Sequence, residues 1–516
     1  MPIMKTNQDQ LWRYFFWSFL FLHVICWTLG SYLTRPSLPH DTLESITWGL
    51  QWQLGYYKHP SLTAWLCAGV FQLSHGADWS IYLLAQLLVV TTFIAMWRLA
   101  KQLYSPAQAF LASLLLEGIL FYNINSFNLT PDTLQSPLWA LTILFFYHAL
   151  IKQELTDWLL TACFAALSFW TKYQIVFLLI PMLLLCLIDS QAKISLKKPA
   201  FYSALCLFFL LISPHLIWLY QHDFISLDYA FNASEEYTKP FAVLGHLYYP
   251  LLFLANQLFH CTGAFILLWP FYKIRSQTAL LTAFQWRFIL ILGFGPLVLT
   301  LLSGLICGTY FPPRWATPYF SLFGIILIGC FKPQLTRKST ILFFISFIVF
   351  SSLLFSIRMA HLVFMPRAHN DAFLPHQSMA RSLNQLWHTY YKAPLPYLAG
   401  SNYLVALLTP YMPDKPHPYL SWSNKDNPWL DEALLRQKGA LFVWDEGENY
   451  AWDKNGRTFA HLTALITGRF PELITLPQQT FYRLHYGLPI VIGVALLPPY
   501  HEQQINYQPT LSDSRK

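Results

Sequence analysis

Long apolar runs separated by short polar connections constrain this chain more than any other feature, because roughly 20 apolar residues make a helix that crosses a hydrocarbon layer. Such runs lie near 11–33, 79–103, 107–127, 132–151, 156–171, 173–189, 199–220, 247–271, 287–308, 316–331 and 339–361. They predict an α-helical polytopic membrane protein with about 11 transmembrane helices. With 55% hydrophobic and 18% aromatic residues against 11% charged ones, and a mean hydropathy of +0.38, an ordinary soluble enzyme is excluded.

The net charge of +8 does not signal nucleic acid, since Lys and Arg flank the apolar runs instead of forming one basic block. Lys5, Arg13, Arg98, Lys101, Lys152, Lys193, Lys197, Lys198, Lys273, Arg275, Arg287, Lys332, Arg337 and Lys338 fall on the amino-terminal side, against Arg35, Lys58, Lys172, Lys239 and Arg314 in the short connections opposite. That bias predicts a multi-pass protein of the inner (cell) membrane with a cytoplasmic N-terminus and the C-terminal region outside. The run after Arg13 is about twice a signal-peptide core and no small-residue cleavage site follows, so a retained anchor is expected. Cys26 to Cys330 all lie in or near apolar runs, and the polar C-terminal third has no cysteine, so no disulfide framework or CxxC metal site is indicated.

Two domains follow: a transmembrane domain over 1–362 and an extracytoplasmic α/β domain over 363–516, with a disordered tail from about 502. In the second domain strand-like Pro396–Ala399, Ala440–Trp444 and Ile490–Val494 alternate with helix-like Leu430–Gln437 and Phe459–Thr467. There is no solenoid repeat. The outer segments 34–78, 221–246 and the C-terminal region are long enough to carry function. In the first, Ser45-Ile46-Thr47-Trp48 and Leu62-Thr63-Ala64-Trp65-Leu66 predict helices along the interface, a lid over the bilayer surface.

The candidates for chemistry cluster on that side. Asp41 and Glu44 share a helix face if their segment is helical, and either is a candidate base; alternatively Asp41 caps a helix starting at Thr42. Lys58, followed by His59, meets a lipid phosphate or snorkels. Asp132 follows Thr130 as N-cap and Pro131 at the first helical position, a good helix start with no further role required. Lys172 closes a span where a cation suits the helix dipole. Arg314, in Tyr310-Phe311-Pro312-Pro313-Arg314-Trp315, suits phosphate recognition or anchors the interface. Glu235 and Glu236 read as a solvated face. Glu117, inside a span, is a functional hypothesis by default, its partner not legible; His215 reads as a hydrogen-bonded core histidine. The convergence of Asp41, Glu44, Lys58, Asp132, Lys172 and Arg314 from separate segments onto one face is the stronger signal. It suits a reaction on a phosphate-linked amphiphile.

At these residues the chain resembles the multi-span, C-type glycosyltransferases, especially bacterial relatives of the dolichyl-phosphate-mannose protein mannosyltransferases and the aminoarabinose lipid A transferase. The likeness covers about 11–330. It rests on Asp41-Thr42-Leu43-Glu44, Trp48-Gly49, Leu54-Gly55-Tyr56-Tyr57-Lys58-His59-Pro60-Ser61-Leu62, Thr130-Pro131-Asp132, Leu167-Ser168-Phe169-Trp170-Thr171-Lys172-Tyr173 and Trp218-Leu219-Tyr220-Gln221-His222-Asp223-Phe224-Ile225-Ser226. The resemblance implies transfer of a sugar from a polyprenyl-phosphate donor to a glycolipid, polysaccharide or protein acceptor at the outer face, with inversion. It implies Asp41 as the base and Lys58, Asp132, Lys172 and Arg314 around the donor. Ser61 departs from the second proline usual after His59-Pro60, and the acids are Asp-x-x-Glu instead of adjacent, which leaves Asp41 and Glu44 both open as the base. No cofactor is required; the pattern leaves room for a divalent metal without indicating one. The rival reading is a transporter or flippase of lipid-linked sugars, which favours a polar site at the midplane. Sugar and acceptor depend on pocket shape and are not legible.

Overall fold

The computed structural model describes residues 3–235, 244–272, 281–364, 371–446, 464–484 and 487–500. The expected disordered tail, Glu236 and the first part of the expected helix at Phe459 lie outside them.

Among the described residues these α-helices precede the C-terminal region: α1 (Ile3–Thr34), α2 (His40–Gly49), α3 (Leu62–Leu73), α4 (Asp78–Leu103), α5 (Pro106–Leu114), α6 (Pro131–Lys152), α7 (Leu155–Phe169), α8 (Val176–Ile188), α9 (Pro199–Gln221), α10 (Ile225–Glu235), α11 (Gly245–Leu268), α12 (Ala283–Cys307), α13 (Phe323–Phe331) and α14 (Arg337–Phe364). Among the described residues α1, α4, α6, α9, α11, α12 and α14 are long and apolar enough to span a membrane; the 3-10 helix Pro313–Phe320 with α13, bent by 60°, makes at most an eighth span. The other expected spans are helical but short, α7 and α8 having 15 and 13 residues, so a count of about eleven full spans is not established.

The run 107–127 is not one helix. α5 stops at Leu114 and two 3-10 turns follow, Leu115–Gly118 and Leu120–Tyr122. Gly118 lies against the backbone of α11, where a Cβ would stand 2.3 Å from Ala264 N. Asn123 Nδ2 then donates to Glu117 O at 2.5 Å, offering that carbonyl a side-chain partner in place of the next helical turn. The Glu117 side chain is buried and lies 3.1 Å from Nδ1 of His23 on α1, the partner that sequence alone did not supply. His215 is a core histidine as expected: it is buried, with Tyr173 OH 2.8 Å from Nε2 and Leu54 O 2.7 Å from Nδ1.

The C-terminal region is the expected small α/β domain. It contains α15 (His376–Tyr390), α16 (Asn402–Leu408), α17 (Glu432–Lys438), α18 (Ala464–Arg469) and strands β1 (Tyr397–Gly400), β2 (His417–Leu420), β3 (Ala440–Asp445), β4 (Ile474–Tyr482) and β5 (Pro489–Leu497). The sheet order is β2-β1-β3-β5-β4, with β1 parallel to β2 and β3 and β5 antiparallel to β3 and β4. β1 and β3 are buried on both faces, and their residues alternate between two cores: Leu398, Leu441 and Val443 face one, Tyr397, Ala399 and Phe442 the other. The first core continues into Leu43, Ile46 and Trp48 of α2 and Phe71 of α3. One apolar interior therefore joins the domain to the segment that carries α2 and α3.

The helices expected in 34–78 form as α2 and α3, and α2 is covered by protein. α2 is buried from Thr42 to Gly49. On one side it packs so closely on α3 that a Cβ on Gly49 would stand 2.0 Å from Ala64 O; on another, Thr47 Oγ1 donates to Ala406 O of α16 at 3.1 Å. Asp41 does not cap it. The helix starts one residue early, at His40, with Pro39 at the N-cap and no side-chain cap, so Asp41 sits in the first turn with its carboxylate free to pair elsewhere.

Candidate functional site

Three connections and two helix ends bring the expected residues together. The first is the 50–61 loop after α2, pinned by an antiparallel bridge between Gly55 and Pro60, by Leu62 N donating to Trp170 O at 3.0 Å, and by the close approach of Gly55 to the Trp218 ring, 2.4 Å from a Cβ placed there. The second is the start of α6, where Thr130 caps and Pro131 opens the helix as expected. The third is the turn after α7: Gln135 on α6 donates to Ser168 O at 3.0 Å and Lys172 O at 2.9 Å, fixing the backbone that carries Lys172. Gln174 reaches across to Trp315 O at 2.6 Å, fixing the Arg314-Trp315 turn against it.

Lys172 Nζ lies 2.6 Å from Asp132 Oδ1 and 4.2 Å from the centre of the Trp315 ring. Arg314 Nη1 lies 2.8 Å from Asp41 Oδ2, and its Nε is 3.9 Å from Asp132 Oδ2. Asp41, Arg314, Asp132 and Lys172 are thus one chain of charges. Asp132 serves both as the first-turn acid of α6 and as the partner of Lys172, so its two readings coexist.

Glu44 and Lys58 form a second pair, Nζ to Oε1 at 2.6 Å. Asn402 Nδ2, from the first turn of α16, donates to the same Oε1 at 2.5 Å, and Tyr57 OH approaches it at 3.5 Å. Lys58 is not a snorkelling lysine: its ammonium stands 5.7, 5.2 and 5.7 Å from the ring centres of Trp48, Tyr57 and Tyr229. His59 is acted on electrostatically by the charges of Lys172, Lys58, Arg314 and Asp41.

The two acids differ in access. The Glu44 side chain is 5% exposed and its lysine 18%, whereas Asp41 is 35% exposed and its arginine 59%. Burial alone would raise the Asp41 carboxyl, but Arg314, His40 and Lys58 hold it below its ordinary value. Burial also pulls on Lys58, yet Glu44 keeps it well above the usual lysine value. For Lys172 burial wins over Asp132, with Arg314 adding repulsion, and the amine is lowered. His59 is pushed well below the usual range by burial and the neighbouring cations, and is neutral near pH 7.

Asn402, Tyr57, Tyr229 and Trp315 complete the site and were not among the expected residues. Tyr57 and Trp315 adjoin Lys58 and Arg314 in sequence, a signal that could have found them; Asn402 and Tyr229 carry none. The Glu235 side chain lies outside the described residues.

The architecture is a helical membrane bundle carrying a small sheet domain, with a mixed acid and cation cluster where the two meet. Residues 58–218 match the family model of dolichyl-phosphate-mannose-protein mannosyltransferase. No curated protein sequence matches the chain. Among solved structures it is similar to ArnT from Cupriavidus metallidurans bound to undecaprenyl phosphate, with a TM-score of 0.60 and 12% identity over 94% of this chain and 98% of that one. ArnT from the same organism in the apo state gives a TM-score of 0.48 at 12% identity over the same shares of the two chains. The resemblance to the multi-span, C-type glycosyltransferases thus stands on a matched segment that includes Lys58, Asp132 and Lys172 and on a shared fold.

Proposed function

We propose that the chain is an integral membrane glycosyltransferase that moves a sugar from a polyprenyl-phosphate donor to an acceptor at the outer face of the cell membrane. The observation that carries this reading is the chain Asp41–Arg314–Asp132–Lys172: a water-accessible carboxylate beside cations that a phosphate can claim. The family match and the ArnT fold support the donor class.

Asp41 is the base and Glu44 is not. Glu44 already accepts from Lys58 and Asn402 in a nearly closed pocket, while the Asp41 carboxylate is paired with the exposed guanidinium of Arg314. When the donor phosphate draws Arg314 away, Asp41 loses the partner that depresses its basicity and becomes a better proton acceptor. The acceptor hydroxyl then attacks the anomeric carbon from the face opposite the phosphate. Its proton passes to Asp41, the bond from anomeric carbon to phosphate oxygen breaks, and its electron pair leaves with the polyprenyl phosphate. Arg314 and Lys172 neutralise the charge that grows on that phosphate. The product is inverted.

Asp41→Asn tests the reading with purified full chain and a polyprenyl-phosphate sugar: transfer should fall by about a hundredfold or more. A flippase or a non-catalytic glycan receptor would keep its activity in that variant, and undiminished transfer or a retained anomeric configuration would refute the scheme.

A further inference from the structure

We propose that His215 is a positioning residue: its imidazole is the spacer that sets the loop carrying Lys58 against the turn carrying Lys172, so that both cations meet one lipid phosphate. The proposal rests on the polyprenyl-phosphate reading above. His215 lies near the end of α9 and is fully buried. Both of its ring nitrogens are used, and each leads toward a different cation. Nδ1 lies 2.7 Å from Leu54 O, and a carbonyl oxygen only accepts, so in the neutral ring that nitrogen carries the proton. Nε2 is then the acceptor for Tyr173 OH at 2.8 Å. With its proton so placed, the Tyr173 oxygen accepts from Ser226 Oγ at 2.5 Å. One line of donors therefore runs from Ser226 through Tyr173 and His215 to Leu54.

Each part of that line is joined closely to the charge cluster. Leu54 precedes Gly55, which is bridged to Pro60, and Tyr56 N donates to His59 O at 3.0 Å, so residues 55–60 form a closed turn with Lys58 inside it. Gly55 rests on Trp218, which stacks on His215 at 5.8 Å between ring centres. Ser61 Oγ also donates to Leu54 O, at 3.3 Å, closing the loop on itself. Leu62 N, on Trp170 O, holds the far end of the loop to the turn after α7; the imidazole holds the near end. Tyr173 directly follows Lys172, whose own carbonyl is held by Gln135. Ser226 lies in the first turn of α10, whose Tyr229 ring stands 5.7 Å from the Lys58 ammonium. The charges of Lys58 and Lys172 both act on His59, and two cations serve one phosphate only at a set separation, where a misplacement of about 1 Å is costly.

Equilibrium binding of undecaprenyl phosphate to the purified full chain tests this, with thermal midpoints and transfer kinetics measured on the same preparations. Tyr173→Phe keeps the ring and removes the hydroxyl; it should weaken binding about fivefold. His215→Asn keeps an amide donor for Leu54 O and loses the bond to Tyr173, so it should weaken binding by a similar factor. The double variant should bind no more weakly than the weaker single one, because both changes break the same bond. The donor KM should rise in step, with kcat within about twofold of the unmodified chain. Tyr104→Phe is the control: it removes a buried hydrogen bond to Ile325 O of 2.8 Å at the other end of α4, and should lower the midpoint with binding unchanged. Unchanged binding in Tyr173→Phe and His215→Asn, multiplied losses in the double variant, or an equal loss in Tyr104→Phe overturns the proposal. If the unmodified chain binds the lipid and the variants behave as stated but no sugar is transferred, the glycosyltransferase reading fails and the positioning role stands; no binding by the unmodified chain overturns both.

Discussion

Replacing the two acids of α2 one at a time should split catalysis from stability. In Asp41→Asn the lost pair is with Arg314, whose side chain is 59% exposed, and Asp41 itself is 35% exposed. A pair so open to water contributes about 0–1 kcal/mol, so the thermal midpoint should barely move. Loss of a positioned base lowers turnover by about a hundred- to ten-thousand-fold. In Glu44→Gln the lost charge is 5% exposed and its lysine 18%, and stripping one partner from a buried pair costs about 3–5 kcal/mol. The glutamine oxygen still accepts from Asn402, which favours the lower end. This variant should unfold at clearly lower temperature while the molecules that stay folded keep transferring sugar. Thermal unfolding and initial transfer rates, measured on the same preparations and normalised to folded protein, read the two effects separately. Full-rate transfer by folded Asp41→Asn, or abolished transfer in folded, unshifted Glu44→Gln, would refute the assignment of Asp41 as base and Glu44 as the anchor of Lys58.

The profile of kcat/KM, which reports the free enzyme, should show an acid limb below pH 3.8, the ordinary value of the Asp41 carboxyl, because Arg314, His40 and Lys58 hold that group lower against burial; the same depressed carboxyl adds stability above that pH and loses it as the pH falls through its folded value. The alkaline limb should begin below pH 10.5 because burial lowers Lys172, and Lys172→Arg should move it upward in a pH-rate profile. Gly49→Ala forces a methyl to within 2.0 Å of Ala64 O, a backbone clash that should destabilise the packing of α2 on α3 by about 1–3 kcal/mol, read as a lower thermal midpoint with Lys58 more accessible to amine-reactive reagents. In the C-terminal domain Glu432 is pulled down to about 2 by its hydrogen bond from Arg469, so its contribution to stability is complete above pH 4.5 and fades toward pH 2. Glu432→Gln should flatten the acid side of the unfolding curve, and an unchanged curve would show the pair to be immaterial.

Local chemistry made part of this legible in the sequence, and tertiary contact hid the rest. Thr130-Pro131-Asp132 encodes its own helix start, and the apolar runs encode their helices; β1, β3 and β5 announced themselves by their apolar content. β2 did not, because Pro418 reads against a strand, and it is tolerated here because β2 is an edge strand. The break after α5 depends on how near α11 comes to Gly118, which no local pattern carries. Asp41 read as a candidate base or as a cap, and the partner that takes its carboxylate, Arg314, is 273 residues away. Asp132 and Lys172 were both singled out, but their pairing was not, since each had an adequate local explanation. Asn402 lies 358 residues from the Glu44 it holds, and nothing about Ser401-Asn402-Tyr403 distinguishes it from an ordinary helix opening.

Traffic into the cluster follows from the way α2 is wedged. With α3 along one flank and α16 above, the segment bearing Asp41 has no room to swing toward a reactant, so the reactant must be carried to it. The open flank is that of Arg314, whose turn begins with two prolines and ends on a 3-10 helix pinned by Gln174. For the proposed reaction the doorway is then a side chain and not a hinge: the exposed guanidinium stem of Arg314, set against a fixed wall, is the part that would have to give way to a lipid headgroup.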